Sequence, residues 1–254
     1  MNTLFTGHPI IELASTDSTN TYAIELVKNE NVNEGAVFWA KEQTGGRGQR
    51  NNVWISEAGK NLTFSLVLKP FFMEAAEQFV ITKVISLAIA DYLSDALKDK
   101  PHDRIAIKWP NDIYIGDKKI GGILIENIIR NNKLAFCIAG IGLNMNQKSF
   151  GKDISNAVSL TQITGNELDL KKELEDMCSY LEARYLQLKT GKNKLLDVSY
   201  ETRLYKLNEM SAFTAADKTF EGKITGVTEE GLLIVEMKSG ERKEFRFKEI
   251  QLSN

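Results

Sequence analysis

Four short segments carry residue types that could hold and activate an anionic group. The first is "GGRGQR" (Gly45–Arg50). Its glycines let backbone N–H groups approach an anion closely. Arg47 and Arg50 add fork-shaped, charge-assisted donors. No Lys-Ser/Thr follows, so this is not a Walker loop, and no helix opens directly after it, so it is not a dinucleotide fingerprint. The residues alone fit a lid closing over a phosphate or carboxylate, and they equally fit a solvated surface loop.

The second segment is "KWPNDIYIGDKKIGG", from Lys108 to Gly122. Pro110 biases Trp109 to an extended backbone. Asn111 and Asp112 then stand at a strand start. Asp112 could bind Mg²⁺ or orient an incoming amine. Lys118 and Lys119 are neighbours, so a strand points only one of them inward. Gly121-Gly122 weakens a strand interior, which is tolerated where a ligand lies against bare backbone. The third segment, "GIGLNMN" (Gly140–Asn146), again interrupts an apolar strand with glycine and offers Asn144 to a polar edge. The fourth, "DSTN" (Asp17–Asn20), caps a helix and can also present hydroxyl and amide groups to a ligand.

Elements must exist to hold these segments together. Tyr22, Ala23, Leu26 and Val27 recur at helical spacing, which predicts a helix over about 18–28. "AVFWA" (36–40) and "NLTFSLVL" (61–68) read as strands on either side of the glycine-arginine loop. Phe79, Val80, Val84, Leu87, Ala88, Tyr92 and Leu93 form the apolar face of the longest helix, stopped by Pro101. "RIAIKW", "DIYI", "KIGGILIENIIR" and "LAFCIAGIG" follow as strands joined by turns. Helices are expected over 170–189 and 195–207. The pattern predicts an α+β fold: a mixed or antiparallel sheet with helices packed on one face. After about Asn208, three short alternating segments predict a small β-barrel or meander. The expected division is therefore a larger α+β unit over 1–207 and a small β unit over 208–254.

Composition limits the alternatives. The chain has 254 residues and a formal net charge of −2, which argues against a protein built to coat nucleic acid. Its two cysteines, Cys137 and Cys178, and two histidines, His8 and His102, show no metal-ligand spacing. No signal peptide or membrane-length apolar run is evident, so the cytoplasm is the expected compartment.

In order and at family spacing, "STN", "QTGGRGQR", "KWPND", "KKIGGILIE" and "GIGLNMN" resemble the biotin–protein ligases. They span Ser18 to Asn146. The resemblance implies a catalytic domain like that of biotin ligases and class II aminoacyl-tRNA synthetases, followed by a small SH3-like β-barrel. It implies two-step chemistry: biotin and Mg-ATP give biotinyl-5′-AMP and pyrophosphate, then a lysine of a biotin carboxyl carrier domain displaces AMP. The metal is carried mainly by the ATP phosphates, and its protein ligand is left open.

The resemblance also assigns residues. Lys119, Arg47 and Asp112 are the catalytic candidates. Ser18, Thr19, Asn20, Gln43, Gly46, Arg47, Gly48, Gln49, Lys119, Gly122, Leu124 and Gly142 are expected around biotin. Arg50, Trp54, Lys108, Asn111 and Asn144 are expected around ATP. Lys108 and Asp112 could serve the nucleotide, the metal or the acceptor amine. The glycine-arginine loop becomes a lid, free in the empty enzyme, that orders over a hydrolysis-prone anhydride and keeps it dry. Two positions depart from the family: Gln49 stands where some members carry arginine, and Asn51 where glycine is common, which predicts a stiffer lid and a weaker role for Arg50.

Some bacterial members carry an N-terminal helix-turn-helix repressor domain. The motifs here begin by Ser18, so an enzyme without operator binding or a membrane partner is expected, and a homodimer is compatible with the resemblance. A lipoate–protein ligase is the nearest alternative. A non-enzymatic single-strand binder using the loop and the C-terminal sheet is a second; the acidic net charge and the lack of clustered aromatics count against it.

Overall fold

The computed structural model describes residues 2–29, 31–49, 52–151 and 156–253. Arg50 and Asn51 therefore lie outside the described residues. The chain runs β1 (Ile10–Thr16), α1 (Thr19–Asn29), β2 (Val37–Gln43), β3 (Leu62–Leu68), α2 (Phe79–Ala96), β4 (Ile105–Lys108), β5 (Asp112–Ile115), β6 (Lys118–Arg130) and β7 (Lys133–Leu143). It continues through α3 (Leu160–Thr164), α4 (Leu170–Lys189) and α5 (Asn193–Glu201). Five further strands close the chain: β8 (Met210–Ala215), β9 (Lys218–Val227), β10 (Leu233–Met237), β11 (Arg242–Phe245) and β12 (Gln251–Leu252).

The first seven strands make one mixed sheet in the order β1-β2-β3-β7-β6-β5-β4. Only β1 and β2 pair in parallel. That pairing needs a crossover, and α1 supplies it. The β1 strand escaped the sequence reading because it is a partly exposed edge without clean alternation.

Helices cover both faces of this sheet, which corrects the expectation of one covered face. Every residue of β3 is buried, as are the first four of β2. Strands apolar on both sides need cover on both sides. Phe38, Val67 and Ile138 pack with Ala23 and Val27 of α1 on one face. Val37, Leu66 and Leu68 join the larger core of α2, α4 and α5 on the other. Eleven of the 18 residues of α2 are buried, because sheet and helices enclose it nearly all round. Even Lys83 on this helix is buried, its Nζ 2.7 Å from Asp197 of α5.

The last helix also differs from expectation. It stops at Glu201, and the chain then runs alongside β4: Ile107 N donates to Arg203 O at 2.8 Å and Tyr205 N to Ile107 O at 2.9 Å. That pairing captures backbone groups a longer helix would have used. The C-terminal residues form a second sheet, antiparallel, in the order β11-β10-β9-β8-β12. Two of its strands were missing from the sequence reading: β12 is two residues long, and β8 ("MSAFTA") alternates weakly. Among the described residues, no helix is long and apolar enough to cross a membrane.

Candidate active site

Bare backbone forms the floor of the cavity where the four segments meet, a space of about 370 Å³. In the β6–β7 ladder Gly122 stands opposite Gly142, and Leu124 opposite Gly140. A Cβ on Gly142 would lie 2.4 Å from Trp54 Cε2, and one on Gly140 would lie 2.4 Å from Asn20 Oδ1. At Gly122 the approach is looser, 3.3 Å to Trp54 Cζ3 and 3.4 Å to Lys119 Nζ. The three glycines let an indole, an amide and an ammonium lie directly on the sheet.

One end of the cavity is charged. Lys119 Nζ lies 2.7 Å from Asp112 Oδ1. A regular strand would send Lys119 and Gly122 to opposite faces, since they are three residues apart. The β5–β6 register shifts between Ile113 and Tyr114, so Ile113 opposes Gly121 while Tyr114 opposes Lys119. This bulge turns Lys119 into the cavity and leaves Ile120 in the core. Lys119 is also held by its backbone: its N donates to Asn156 O at 2.7 Å and its O accepts from Val158 N at 2.9 Å. Lys118 is exposed, which settles which of the two lysines points inward.

Lys108 stands beside this pair. Its Nζ lies over the Tyr114 ring at 4.9 Å and the Tyr205 ring at 5.7 Å, and it donates to Tyr114 Oη at 3.3 Å. Burial pulls its pKa down, Asp112 opposes the shift, and Lys119 adds to it. The Tyr114 phenol is pushed up to about 12 by burial and then by Asp112.

The other end is polar and built from the start of α1. Thr19 N and Oγ1 donate to Gln43 Oε1 at 2.8 and 3.2 Å. Ser65 Oγ donates to Asn20 Oδ1 at 2.6 Å and lies 2.8 Å from Thr19 Oγ1. Asn20 Nδ2 donates to Leu124 O at 3.1 Å and Glu126 Oε2 at 2.8 Å. The buried Asn20 amide is therefore committed to scaffold contacts. Arg47 Nη2 reaches the same Glu126 oxygen at 2.8 Å. Gly122 and Glu126 are four residues apart on one extended strand, about 13 Å. Arg47, expected in the closing loop, thus places its guanidinium at the polar end of the cavity.

The described part of the expected lid is a short hairpin. Trp54 N donates to Gly46 O at 2.9 Å, Gly48 N donates to Asn52 O at 2.7 Å, and Arg47 bridges Val53. Among the described residues, Trp54 Nε1 and Gln49 Oε1 are buried without a hydrogen-bond partner, a donor and an acceptor at the cavity wall.

Most residues singled out from the sequence meet here. Ser18, Thr19, Asn20, Gln43, Arg47, Gly48, Gln49, Trp54, Lys108, Asn111, Asp112, Lys119, Gly122, Leu124 and Gly142 all line the cavity. Asn111 also ties the wall together, its Nδ2 donating to Ile123 O at 2.6 Å. Gly46 and Asn144 are not in the wall. Gly46 permits close passage of the Trp54 backbone, whose O would lie 2.4 Å from a Cβ there. Asn144 is buried behind the site, with Nδ2 donating to Val158 O at 3.1 Å. Arg50 lies outside the described residues.

Gly140, the first residue of the "GIGLNMN" segment singled out above, also lines the cavity. Several other wall residues escaped the sequence reading. Tyr205, Phe247 and Leu252 come from the C-terminal part and carry no local signal. Among the described residues no group of three or more His, Cys, Asp or Glu could cage a cation. Asp112 is the one carboxylate in the described wall. That donor set fits a Mg²⁺ delivered on phosphate oxygens and does not fit a protein-caged ion.

Residues 12–146 match the biotin/lipoate A/B protein ligase family. The chain belongs to that family. Relatives agree with the assignment. It is 31% identical over 241 residues to the bifunctional ligase/repressor BirA of Bacillus spizizenii, covering 93% of this chain and 72% of that one. It is 30% identical over 234 residues to the biotin–[acetyl-CoA-carboxylase] ligase of Paracoccus denitrificans, covering 90% and 94%. The solved structure of the Aquifex aeolicus biotin protein ligase in complex with biotin and ATP superposes with a TM-score of 0.78, at 28% identity, over 96% of this chain and 98% of that one. Within this member of the ligase family, burial pushes the Cys137 and Cys178 thiols up to about 12, so neither is a nucleophile at neutral pH.

Proposed function

We propose that this chain is a biotin–protein ligase that forms biotinyl-5′-AMP from biotin and ATP and transfers biotin to a lysine of a carboxylase carrier domain. One observation carries the choice of acid. The end of the cavity far from Lys119 presents neutral polar groups of Ser18, Thr19 and Gln43 beside the Arg47 guanidinium, which Glu126 pairs. A cyclic urea brings two N–H donors and a carbonyl acceptor to such a wall. The dithiolane of lipoate brings none, and buried polar groups left without partners disfavour it. The names of the relatives agree with this reading.

The chain's own groups then take defined parts. The acid lies past Leu124 and against the Trp54 indole that rests on the glycine floor, with its carboxylate towards Lys119. In the first step a carboxylate oxygen bonds to the α-phosphorus as the bond to pyrophosphate breaks. Lys119 and Lys108 offset the negative charge that builds up there. Mg²⁺ delivered with the nucleotide would supply further charge neutralisation, and Asp112 is the one carboxylate of the described wall that would help hold it. The Trp54 hairpin roofs the anhydride and limits its hydrolysis. In the second step the neutral lysine amine attacks the acyl carbon and AMP leaves. Asp112 is placed to accept the amine's proton, directly or through solvent. We read the C-terminal sheet as the small SH3-like barrel of such enzymes, closing the outer wall.

Incubation of the purified protein with ATP and either biotin or lipoate, followed by mass spectrometry of adenylates, tests the reading. Biotinyl-AMP is expected, together with one biotinyl group on an added carrier domain. Lipoyl-AMP without biotinyl-AMP would reassign the chain within its family.

A further inference from the structure

Glu126 has no part in the chemistry described so far, yet three features converge on it. It accepts from Arg47 of the hairpin and from Asn20 of α1 through a single oxygen, Oε2, at 2.8 Å each. Arg47 and Asn20 both line the cavity, whereas Glu126 does not; it stands behind them. It shares a strand face with Gly122 and Leu124, so it is rigidly tied to the floor. Arg47 spends one of its five N–H donors on this contact, and the planar guanidinium fixes the direction of the others. Arg47 is also a rung of the hairpin, paired with Val53 next to Trp54.

We infer that Glu126 is a positioning residue: through Arg47 it pins the base of the Trp54 hairpin to strand β6 and aims the remaining Arg47 donors into the cavity. One carboxylate thereby fixes the two cavity walls that meet at the polar end, the start of α1 and the hairpin, relative to the floor. Its effect on the reaction rests on the proposed use of the cavity for biotin; its effect on the hairpin does not.

Glu126→Gln tests this, since the amide keeps the shape and an oxygen for Asn20 but removes the charge that holds Arg47. Two readouts separate the levels. Amide hydrogen exchange on the protein without added ligand should speed up about fivefold at Gly48 and Trp54, the hairpin amides, and stay unchanged in α2, as expected for loss of one partly exposed charge pair. The KM for biotin should rise about fivefold while kcat changes less than twofold, because a misplaced wall weakens binding before it alters chemistry at Lys119. In an Arg47→Gln background Glu126→Gln should add nothing further. Unchanged exchange at Gly48 and Trp54, or equal effects of Glu126→Gln with and without Arg47, overturns the inference. Failure of the wild-type protein to use biotin would instead overturn the proposed function and leave the exchange result standing.

Discussion

Gly142→Ala adds a single methyl group to a strand, a change that ordinarily favours the strand by about 0.5–1 kcal/mol. Here the new Cβ would stand 2.4 Å from Trp54 Cε2, 2.6 Å from Cζ2 and 2.8 Å from Nε1. Ordinary contact between carbons begins near 3.5 Å, so the indole must retreat by about 1 Å. A displacement of that size in a wall that shapes the reacting groups costs on the order of 100-fold in rate. Trp54 is only half-buried and sits on a hairpin, so it can retreat without opening the core. The expected result is therefore a large loss of activity with little loss of stability. Gly122→Ala is the matched control: its Cβ meets Trp54 Cζ3 at 3.3 Å and Lys119 Nζ at 3.4 Å, which small side-chain shifts relieve. Its loss should be only a few-fold. Biotin-dependent pyrophosphate release gives kcat/KM for both variants, and thermal melting gives their stability. If Gly142→Ala retains near-wild-type turnover, or if the two alanines lose equally, bare backbone at Gly142 is not what shapes the site.

Three further outcomes are expected. Lys119→Ala should slow adenylate formation far more than it weakens biotin binding, because the charge it faces develops mainly in the transition state; calorimetry beside single-turnover kinetics would show an equal fall if Lys119 only binds. Asp197→Asn should destabilise the fold by about 2 kcal/mol, because it strands the buried Lys83 ammonium, whereas Lys83→Met should cost less; urea melts that reverse this order would contradict the pairing. Glu182 accepts backbone N–H groups from Leu4, Phe5 and Thr6 at 2.6, 2.9 and 2.9 Å. Burial alone would raise its carboxyl, but these donors outweigh burial and hold it below the usual carboxylate range. Its folded pKa lies below its unfolded one, so the stabilisation is complete above the unfolded value and fades as pH falls through the folded value. Glu182→Gln should cost about 2–3 kcal/mol at pH 7, and the gap to wild type should close below about pH 4; a gap independent of pH would show that the charge is irrelevant.

The parts of the fold visible in the sequence were those with a local physical signature. Helix α4 matches its apolar spacing over 170–189, and the strands β2 to β7 were each bounded by their turns. The exposed edge strand β1 and the two-residue β12 gave little local signal, because their pairing depends on distant partners. Helix α5 was read too long for the same reason, since strand β4 captures the chain after Glu201. At the site, glycine spacing made the floor legible at Gly122 and Gly142. The bulge that turns Lys119 inward was not, since Ile120 looks like any strand residue. Asn144 and Asn20 show the limit from the other side: motif asparagines can be spent on scaffold hydrogen bonds. Glu126 was missed because its role is visible only once Arg47 and Asn20 meet on it.

A crystal structure with a non-hydrolysable biotinyl-adenylate analogue tests the central claim most directly. The urea should lie among Ser18, Thr19 and Gln43, the acyl chain past Leu124 against the Trp54 indole, and the phosphate mimic beside Lys119. An analogue bound elsewhere, or one lying in this cavity with its phosphate mimic remote from Lys119, would contradict it.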